Sequence, residues 1–192
     1  MTQGKLIIIS GPSAVGKSTI TAEVQKQVPN VKRNVTYTNR APRPTEKDGV
    51  DYNFISDEDF KEKIDHDFFV EWAMVYDVYK GTSLQDINNA LDCGENIVLV
   101  TDIQGMATIK SKLPQAQLIF ILPESIDQLK NRLLARPQAD PEDVKIRLSK
   151  AENEIAKAKE LCDFFVINRE NQQENTIAEI LNIINDRTVK AI

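Results

Sequence analysis

The chain is poor in the residues from which disulfide scaffolds and metal centres are built. It has two cysteines, Cys93 and Cys162, and one histidine, His66, in 192 residues. The cysteines lie far apart and form no metal-ligand spacing, so a disulfide framework and a zinc cluster are both excluded, and a reducing, cytoplasmic setting is expected. His66, between Asp65 and Asp67, reads as a loop residue and not as a catalyst. Apolar runs are short. The opening Met1–Lys5 followed by Leu6–Ile9 is too brief for a signal peptide, and no run approaches the length of a membrane span. Positive charge is also in short supply, at 24 Lys and Arg against 29 Asp and Glu. A net charge of −5 gives no bulk attraction to nucleic acid or an anionic membrane, so neither partner is expected. Repeats, low-complexity tracts and linker-like segments are absent as well.

What remains is an ordinary globular composition, 41% hydrophobic and 28% charged, in a chain long enough for one domain with small insertions. Short β-branched runs recur at Leu6–Ile9, Ile97–Val100, Leu118–Leu122 and Phe164–Ile167. None alternates apolar with polar, which suits strands of a parallel sheet covered on both faces. Helical patterns follow at about 17–28, 104–112, 125–135, 142–161 and 173–186, the last with Ile177, Ile180, Leu181 and Ile184 on one face. Strand–helix alternation of this kind predicts a three-layer α/β fold. Two stretches interrupt it. Residues 33–82, charged and turn-rich with interspersed aromatics, read as a small α+β insertion with its own ligand contacts. Residues 136–141, Arg-Pro-Gln-Ala-Asp-Pro, read as a cover between two helices.

Gly11-Pro12-Ser13-Ala14-Val15-Gly16-Lys17-Ser18 matches G-x-x-x-x-G-K-[ST] directly after a strand and at the start of a helix. Successive backbone N–H groups there can wrap a β-phosphate, and the positive end of the helix adds to the field. Lys17 is placed to bridge the β- and γ-phosphates, and the Ser18 hydroxyl to hold Mg²⁺. This P-loop predicts a bound nucleoside triphosphate without saying what is done with it.

The insertion carries the chemistry of a nucleotide monophosphate site. Arg40 and Arg43 flank Ala41-Pro42, a stiff turn that can aim two guanidinium groups at one phosphate. Gly49-Val50-Asp51-Tyr52 supplies a turn and a phenol. Glu71 puts a carboxylate beside Trp72-Ala73, and Trp72 suggests partial burial there. Tyr79-Lys80-Gly81-Thr82 offers further donors. With Thr38-Asn39-Arg40-Ala41-Pro42-Arg43, Glu71-Trp72-Ala73, Asp102-Ile103-Gln104-Gly105 and Arg136…Arg147 in this order, the sequence resembles guanylate kinase across nearly its whole length.

The resemblance implies a P-loop NTPase core over 1–33 and 83–192, with a GMP-binding insertion at 34–82 and a lid at about 134–146. It implies ATP, GMP and dGMP as substrates and Mg²⁺ as cofactor. ATP contacts are implied for Gly11, Pro12, Ser13, Ala14, Val15, Gly16, Lys17, Ser18 and Thr19, with Arg132 beside them and Asn168 at the adenine. Thr36 and Glu71 would meet guanine, Arg40, Arg43 and Tyr52 the GMP phosphate, with Tyr79 and Thr82 close by. Arg136 and Arg147 would close on the transferring group, alongside Lys17 and Arg43 as catalytic residues. Asp102 would reach GMP and, through water, the metal. Two positions depart from the family pattern: Lys80 stands where a second tyrosine is usual, and Val100 where an acid is usual. Val100 and Asp102 are expected on one strand face, leaving Asp102 as its carboxylate. Rival readings are a kinase for another phosphorylated acceptor, such as a ribose bisphosphate, and a binding module of the same shape with lost activity. Trp72 reads as packing, Cys162 as core, and Asp57-Glu58-Asp59 as the first turn of a short helix.

Overall fold

A computed structural model describes residues 3–32, 34–75, 77–135 and 139–185. Strand β1, Leu6–Ser10, is buried along its whole length and leads into helix α1, Lys17–Gln27. Short strand β2 spans Val31–Lys32. A second group follows: β3 Tyr37–Thr38, β4 Asn53–Phe54, α2 Asp57–Asp65, β5 Phe69–Val75 and β6 Val78–Ser83. The chain then returns through α3 Leu84–Asp92, β7 Asn96–Val100, α4 Ile103–Lys112, β8 Gln117–Pro123, α5 Ile126–Leu134, α6 Pro141–Leu161, β9 Phe164–Asn168 and α7 Gln173–Ile184.

The first sheet is parallel, in the order β2-β7-β1-β8-β9. Alternation along β1 splits the core between its faces. Leu6 and Ile8 pack with Ile87, Met106 and Ile109 of α3 and α4. Ile7 and Ile9 pack with Ile20 and Val24 of α1 and Ile180 of α7. Helix α6 serves both sides, with Ala158 on one and Ala151 on the other. Each fully buried branched side chain contributes about 1.5–3 kcal/mol, so the unbroken apolar runs are the energetic base of the fold. Cys162 sits against Met106 with its Sγ 3.4 Å from the thioether, and burial followed by the charge of Asp163 pushes its thiol up to about 12.

The predicted three-layer α/β architecture holds, and the helices fall where the periodicity puts them to within two residues. Helix α3 went unread. Its signal is local: Ser83 accepts from the N–H of Asp86, and Ile87, Ala90 and Leu91 form the buried face. The second sheet runs β4-β3-β6-β5, with β3 and β4 parallel and the other pairs antiparallel. Helix α2 begins at the acidic run, capped by Ser56, and lays Phe60 on Phe69 and Tyr79 with ring centroids 4.5 and 5.0 Å apart. His66 caps its end, where an imidazole N–H donates to the carbonyl of Glu62 at 2.8 Å. Among the described residues no helix is long and apolar enough to cross a membrane.

Candidate active site

The loop from Gly11 to Gly16 joins β1 to α1, and it is braced from below. Gly16, at the helix N-cap, has φ 101°, and a Cβ there would stand 2.8 Å from the amide nitrogen of Asn168. Asn168 ends β9 and is 5% exposed; its amide donates to the carbonyl of Val15 at 2.7 Å. Arg132, on α5, donates to the same carbonyl at 3.1 Å. Asn168, expected at the adenine, and Arg132, expected beside ATP, thus both hold the loop's backbone in shape. Lys17 donates to the carbonyls of Gly11 and Pro12. Ser18 and Thr19 are exposed on the first turn of α1. Arg147 reaches from α6 to the Ser13 hydroxyl at 3.4 Å, its Nε held by Asp143 at 2.7 Å. Arg136 lies outside the described residues.

Glu154, half-buried on α6, lines one cavity with Asp102. Burial raises its pKa, the charge of Lys17 opposes that shift, and Asp102 adds to it. Asp102 is not a strand residue: it stands just past β7 as the N-cap of α4, where one carboxylate oxygen accepts from Gln104 and Gly105 N–H at 3.0 and 2.8 Å. Asp102 in turn acts electrostatically on Glu71 of β5. Asp102 thus raises the carboxyls of both Glu154 and Glu71, while Lys17 opposes the shift at Glu154.

Glu71 faces a polar recess of about 140 Å³ whose wall includes Asn34, Thr36, Thr82 and Val100. Pairing of Glu71 with Thr82 and of Thr38 with Lys80 puts these residues on one face of the second sheet, and alternation carries Thr36 and Asn34 to the same face. Thr82 donates to Glu71 Oε1 at 2.9 Å. Burial raises the Glu71 carboxyl, the Thr82 bond opposes that, and Asp102 reinforces it. Helix α4 comes close enough that a Cβ on Gly105 would lie 3.3 Å from Glu71 Oε2. Trp72 points the other way and is 46% exposed, its ring 5.9 Å from Tyr79. Trp72, expected to cover Glu71, does not, because successive strand residues face opposite sides; the cover comes from α4. Tyr79 shares the Trp72 face, stacked on Phe60, while Lys80 shares the Glu71 face.

Cations gather around Tyr52. The guanidinium of Arg40 lies 4.9 Å and the ammonium of Lys80 5.7 Å from its ring centroid. Arg40 is fixed by two 2.7 Å hydrogen bonds to Glu46, which also accepts from the Arg43 N–H at 2.8 Å. The Arg40 pair, then that backbone bond, holds the Glu46 carboxyl down at about 2. The Arg43 side chain is exposed beside this turn.

A family description for guanylate kinase matches residues 3–187. The chain belongs to the guanylate kinase family. It is 37% identical to the guanylate kinase of Bdellovibrio bacteriovorus over 95% of this chain and 97% of that protein. It is 38% identical to that of Pseudoalteromonas translucida over 98% and 91%. The crystal structure of guanylate kinase from Anaplasma phagocytophilum matches with a TM-score of 0.71 at 27% identity, covering 99% of this chain and 89% of that one.

Within this guanylate kinase framework, three residues escaped the sequence reading. Glu46 orients Arg40; an acid three residues after Arg43, closing the turn by its own N–H to the Arg43 carbonyl, was the available signal. Asn39 clips β3 to its neighbours, accepting from the Tyr79 N–H at 2.7 Å and donating to Asp57 at 2.9 Å. Glu154 gave no signal, since one charged residue on an exposed-looking helix has no distinguishing pattern.

Proposed function

We propose that the chain transfers the terminal phosphoryl group of ATP to GMP, and to dGMP, giving ADP and the corresponding diphosphate. The observation that carries this reading is the half-buried carboxylate of Glu71, held by the Thr82 hydroxyl in a polar recess lined also by Thr36 and by the end of β7, the strand paired with the one that leads into the P-loop. A sugar hydroxyl can also donate to such a carboxylate, but guanine offers it two adjacent donors in one plane, one for each oxygen. Thr36 and Glu71 are assigned to the base, with Thr82 orienting Glu71. Arg40, Arg43 and Tyr52 are assigned to the GMP phosphate, and residues 34–82 to the acceptor-binding unit. Residues 11–19 hold the ATP phosphates, Arg147 of α6 closes on them beside a lid at about 134–146, and Arg136 lies beyond the described residues.

The acceptor oxygen is already nucleophilic at neutral pH, so no general base is required. Catalysis is alignment and charge neutralisation. Lys17 and Arg147 stabilise the transferring group, and Arg40 and Arg43 hold the acceptor in line. Closure excludes water that would otherwise hydrolyse ATP. The oxygen donors near the loop suit a hard cation: the Ser18 hydroxyl would hold Mg²⁺ directly and Asp102 through water. When bound, Mg²⁺ neutralises charge on the β- and γ-phosphates. Both cysteines are free, which supports a cytoplasmic setting, and the acidic net charge supports substrates other than nucleic acid.

The test is ATP consumption with GMP, dGMP, AMP, CMP, UMP and a ribose bisphosphate as alternative acceptors. Turnover with GMP and dGMP far above the rest is expected. Preference for the sugar phosphate, or for AMP, would overturn the assignment, and silence with every acceptor would return the binding-module reading.

A further inference from the structure

Beneath the phosphate loop lies a buried contact with no role yet in the function proposed for the site. Val15 and Gly16 share one trans peptide, whose carbonyl accepts from the Asn168 amide at 2.7 Å and from Arg132 at 3.1 Å. Two donors fill both lone pairs of that oxygen. The peptide is planar, so its N–H points away from its carbonyl. With the carbonyl held down on Asn168 and Arg132, the Gly16 N–H is turned to the opposite side, where the loop is read to hold phosphate. A flipped peptide would set a carbonyl there instead. Asn168 is itself held from behind. Its side-chain oxygen accepts from the hydroxyl of Thr176, near the start of α7, at 3.4 Å. Thr176 is 2% exposed, and among the described residues no other group bonds to that oxygen. The same hydroxyl lies 3.2 Å from the Ile167 carbonyl and 3.5 Å from that of Gln172, so its one proton is shared among three oxygens. Without the hydroxyl, the Asn168 oxygen would be buried and unpaired, and the amide would lose its rear anchor.

We propose that Thr176 is a positioning residue for phosphoryl transfer, whose hydroxyl holds the Asn168 amide against the Val15 carbonyl and so aims the Gly16 N–H at the phosphates of the donor. The proposal rests on residues 11–19 binding ATP. It extends the working site to the buried face of α7, through a residue that touches no substrate. Every link from Thr176 through Asn168 and Val15 to Gly16 is a hydrogen bond or a shared peptide. The links end at the donor's phosphates, so their loss should be felt alike with any acceptor.

The experiment is a double-mutant cycle on Thr176→Val and Asn168→Ala, with Thr176→Ser as the conservative control. Valine keeps the branched shape and drops the hydroxyl, while serine keeps the hydroxyl. Two quantities are read: kcat/KM for Mg-ATP at saturating GMP, and the upward shift in melting temperature produced by ADP. Thr176→Val should lower kcat/KM for Mg-ATP about fivefold, as for one neutral hydrogen bond. It should leave KM for GMP unchanged and shrink the ADP shift. Thr176→Ser should match the native protein in both. In the Asn168→Ala background, Thr176→Val should cost nothing more, because the two residues act as one unit. Losses that multiply in the double variant would mean independent roles and overturn the proposal. Should Asn168→Ala fail to fold, the difference between Thr176→Val and Thr176→Ser in the ADP shift decides instead. A lower unliganded melting temperature with transfer and the ADP shift unchanged would also overturn it. The hydroxyl would then serve only the start of α7, which has no side-chain cap at Gln172. Thr176→Ser as poor as Thr176→Val would make the contribution one of packing. If the native protein transfers nothing to GMP, the functional reading falls, and the ADP shift still decides whether Thr176 acts on the loop.

Discussion

The donor and acceptor ends of the site are built by opposite strategies. The phosphate loop is one continuous segment between a fully buried strand and a helix, and two side chains from distant elements, Asn168 and Arg132, converge on a single carbonyl beneath it. The acceptor recess has no continuous segment. Its wall draws on the chain before β3, on β5 and β6, and on β7, and two strands of its sheet are only two residues long. One end is a continuous cradle, braced from below, whose backbone is proposed to bind phosphate. The other is a surface of side chains whose pattern depends on strand register. Substitutions at the donor end should therefore damage transfer to every acceptor, and those at the acceptor end should change which acceptor is used.

The largest effect tests the donor half. Lys17→Ala should leave the fold intact and reduce transfer by several orders of magnitude with any acceptor, since losing one preorganised charge contact of this kind costs about 3–4 kcal/mol or more in the barrier. Circular dichroism with single-turnover kinetics decides it. A folded Lys17→Ala protein with normal rates would remove the phosphate loop from the mechanism.

Glu71→Gln makes the matching break at the acceptor end. It removes a charge and exchanges one acceptor oxygen for a donor, so kcat/KM for GMP should fall by about 2–4 kcal/mol. AMP use, already poor, should fall far less, and the GMP-to-AMP ratio should collapse. If the ratio is large and survives, the base is read elsewhere in the recess. The same carboxyl sets a pH dependence. Burial raises its pKa above the ordinary 4.5, and only the ionised form accepts both guanine donors. The acid limb of kcat/KM for GMP should therefore lie above the ordinary carboxylate range, with activity rising as pH increases through it. Asp102→Asn should shift that limb to lower pH, because Asp102 contributes to the upward shift. For stability the sign is reversed. A raised carboxyl pKa makes the folded state bind the proton more tightly, so the group's contribution to stability is lost as pH rises from the unfolded to the folded pKa and stays lost above it.

Legibility in the sequence follows the same division. The phosphate loop could be read residue by residue because its geometry is local. The parallel strands could be read because burial on both faces leaves unbroken apolar runs. Glu71 was found through resemblance, but the physical reason given for its burial was wrong, since Trp72 lies on the opposite face. Asp102 read as a strand residue and is a helix cap, a distinction that depends on where β7 ends. Asn39 was missed because its partner, the Tyr79 N–H, is brought near only by the register of the second sheet, whereas the signal for Glu46, an acid closing the turn after Arg43, was local. Asn168 is the reverse case. Its position after an apolar run was clear, while the direction of its amide, into the loop's backbone, was not.

Arg147 tests whether the donor half extends to the lid. It reaches the loop at Ser13 with Asp143 holding its other side, and its expected role is in the transition state. Arg147→Ala should lower kcat by about tenfold to a hundredfold, as for a lost charged hydrogen bond, with KM for GMP changing little. A rise confined to KM for GMP would move Arg147 to the acceptor side. A change confined to KM for ATP would make it a ground-state binder of the donor.

The smallest expected effect concerns Lys80, where the two strategies can be separated within a single side chain. Register places Lys80 opposite Ala73 and beside Thr82, on the face of Glu71, and its ammonium lies 5.7 Å from the Tyr52 ring centroid. Arg40 approaches the same ring at 4.9 Å. Glu46 already balances Arg40, so Lys80 adds positive charge beside Tyr52, and the acceptor phosphate is the anion this part of the site is read to bind. An ammonium on a flexible stem acts there as a point charge, where a tyrosine at the same position would give a directed hydrogen bond. Lys80→Tyr should therefore keep kcat/KM for GMP within about tenfold, or about 1.4 kcal/mol. Its salt dependence should change more clearly. A point charge on an exposed strand is screened within about 8–10 Å at ordinary ionic strength, so removing it should flatten the rise of KM for GMP with added salt. The measurement is KM for GMP from low to moderate salt at fixed Mg-ATP, in the native protein and in Lys80→Tyr. An unchanged slope would mean that Lys80 serves only to cover Tyr52, with Arg40 and Arg43 supplying the charge for the phosphate. A flatter slope with unchanged kcat would place Lys80 in the acceptor cradle as a ground-state contact, separate from the donor charges that act on the barrier.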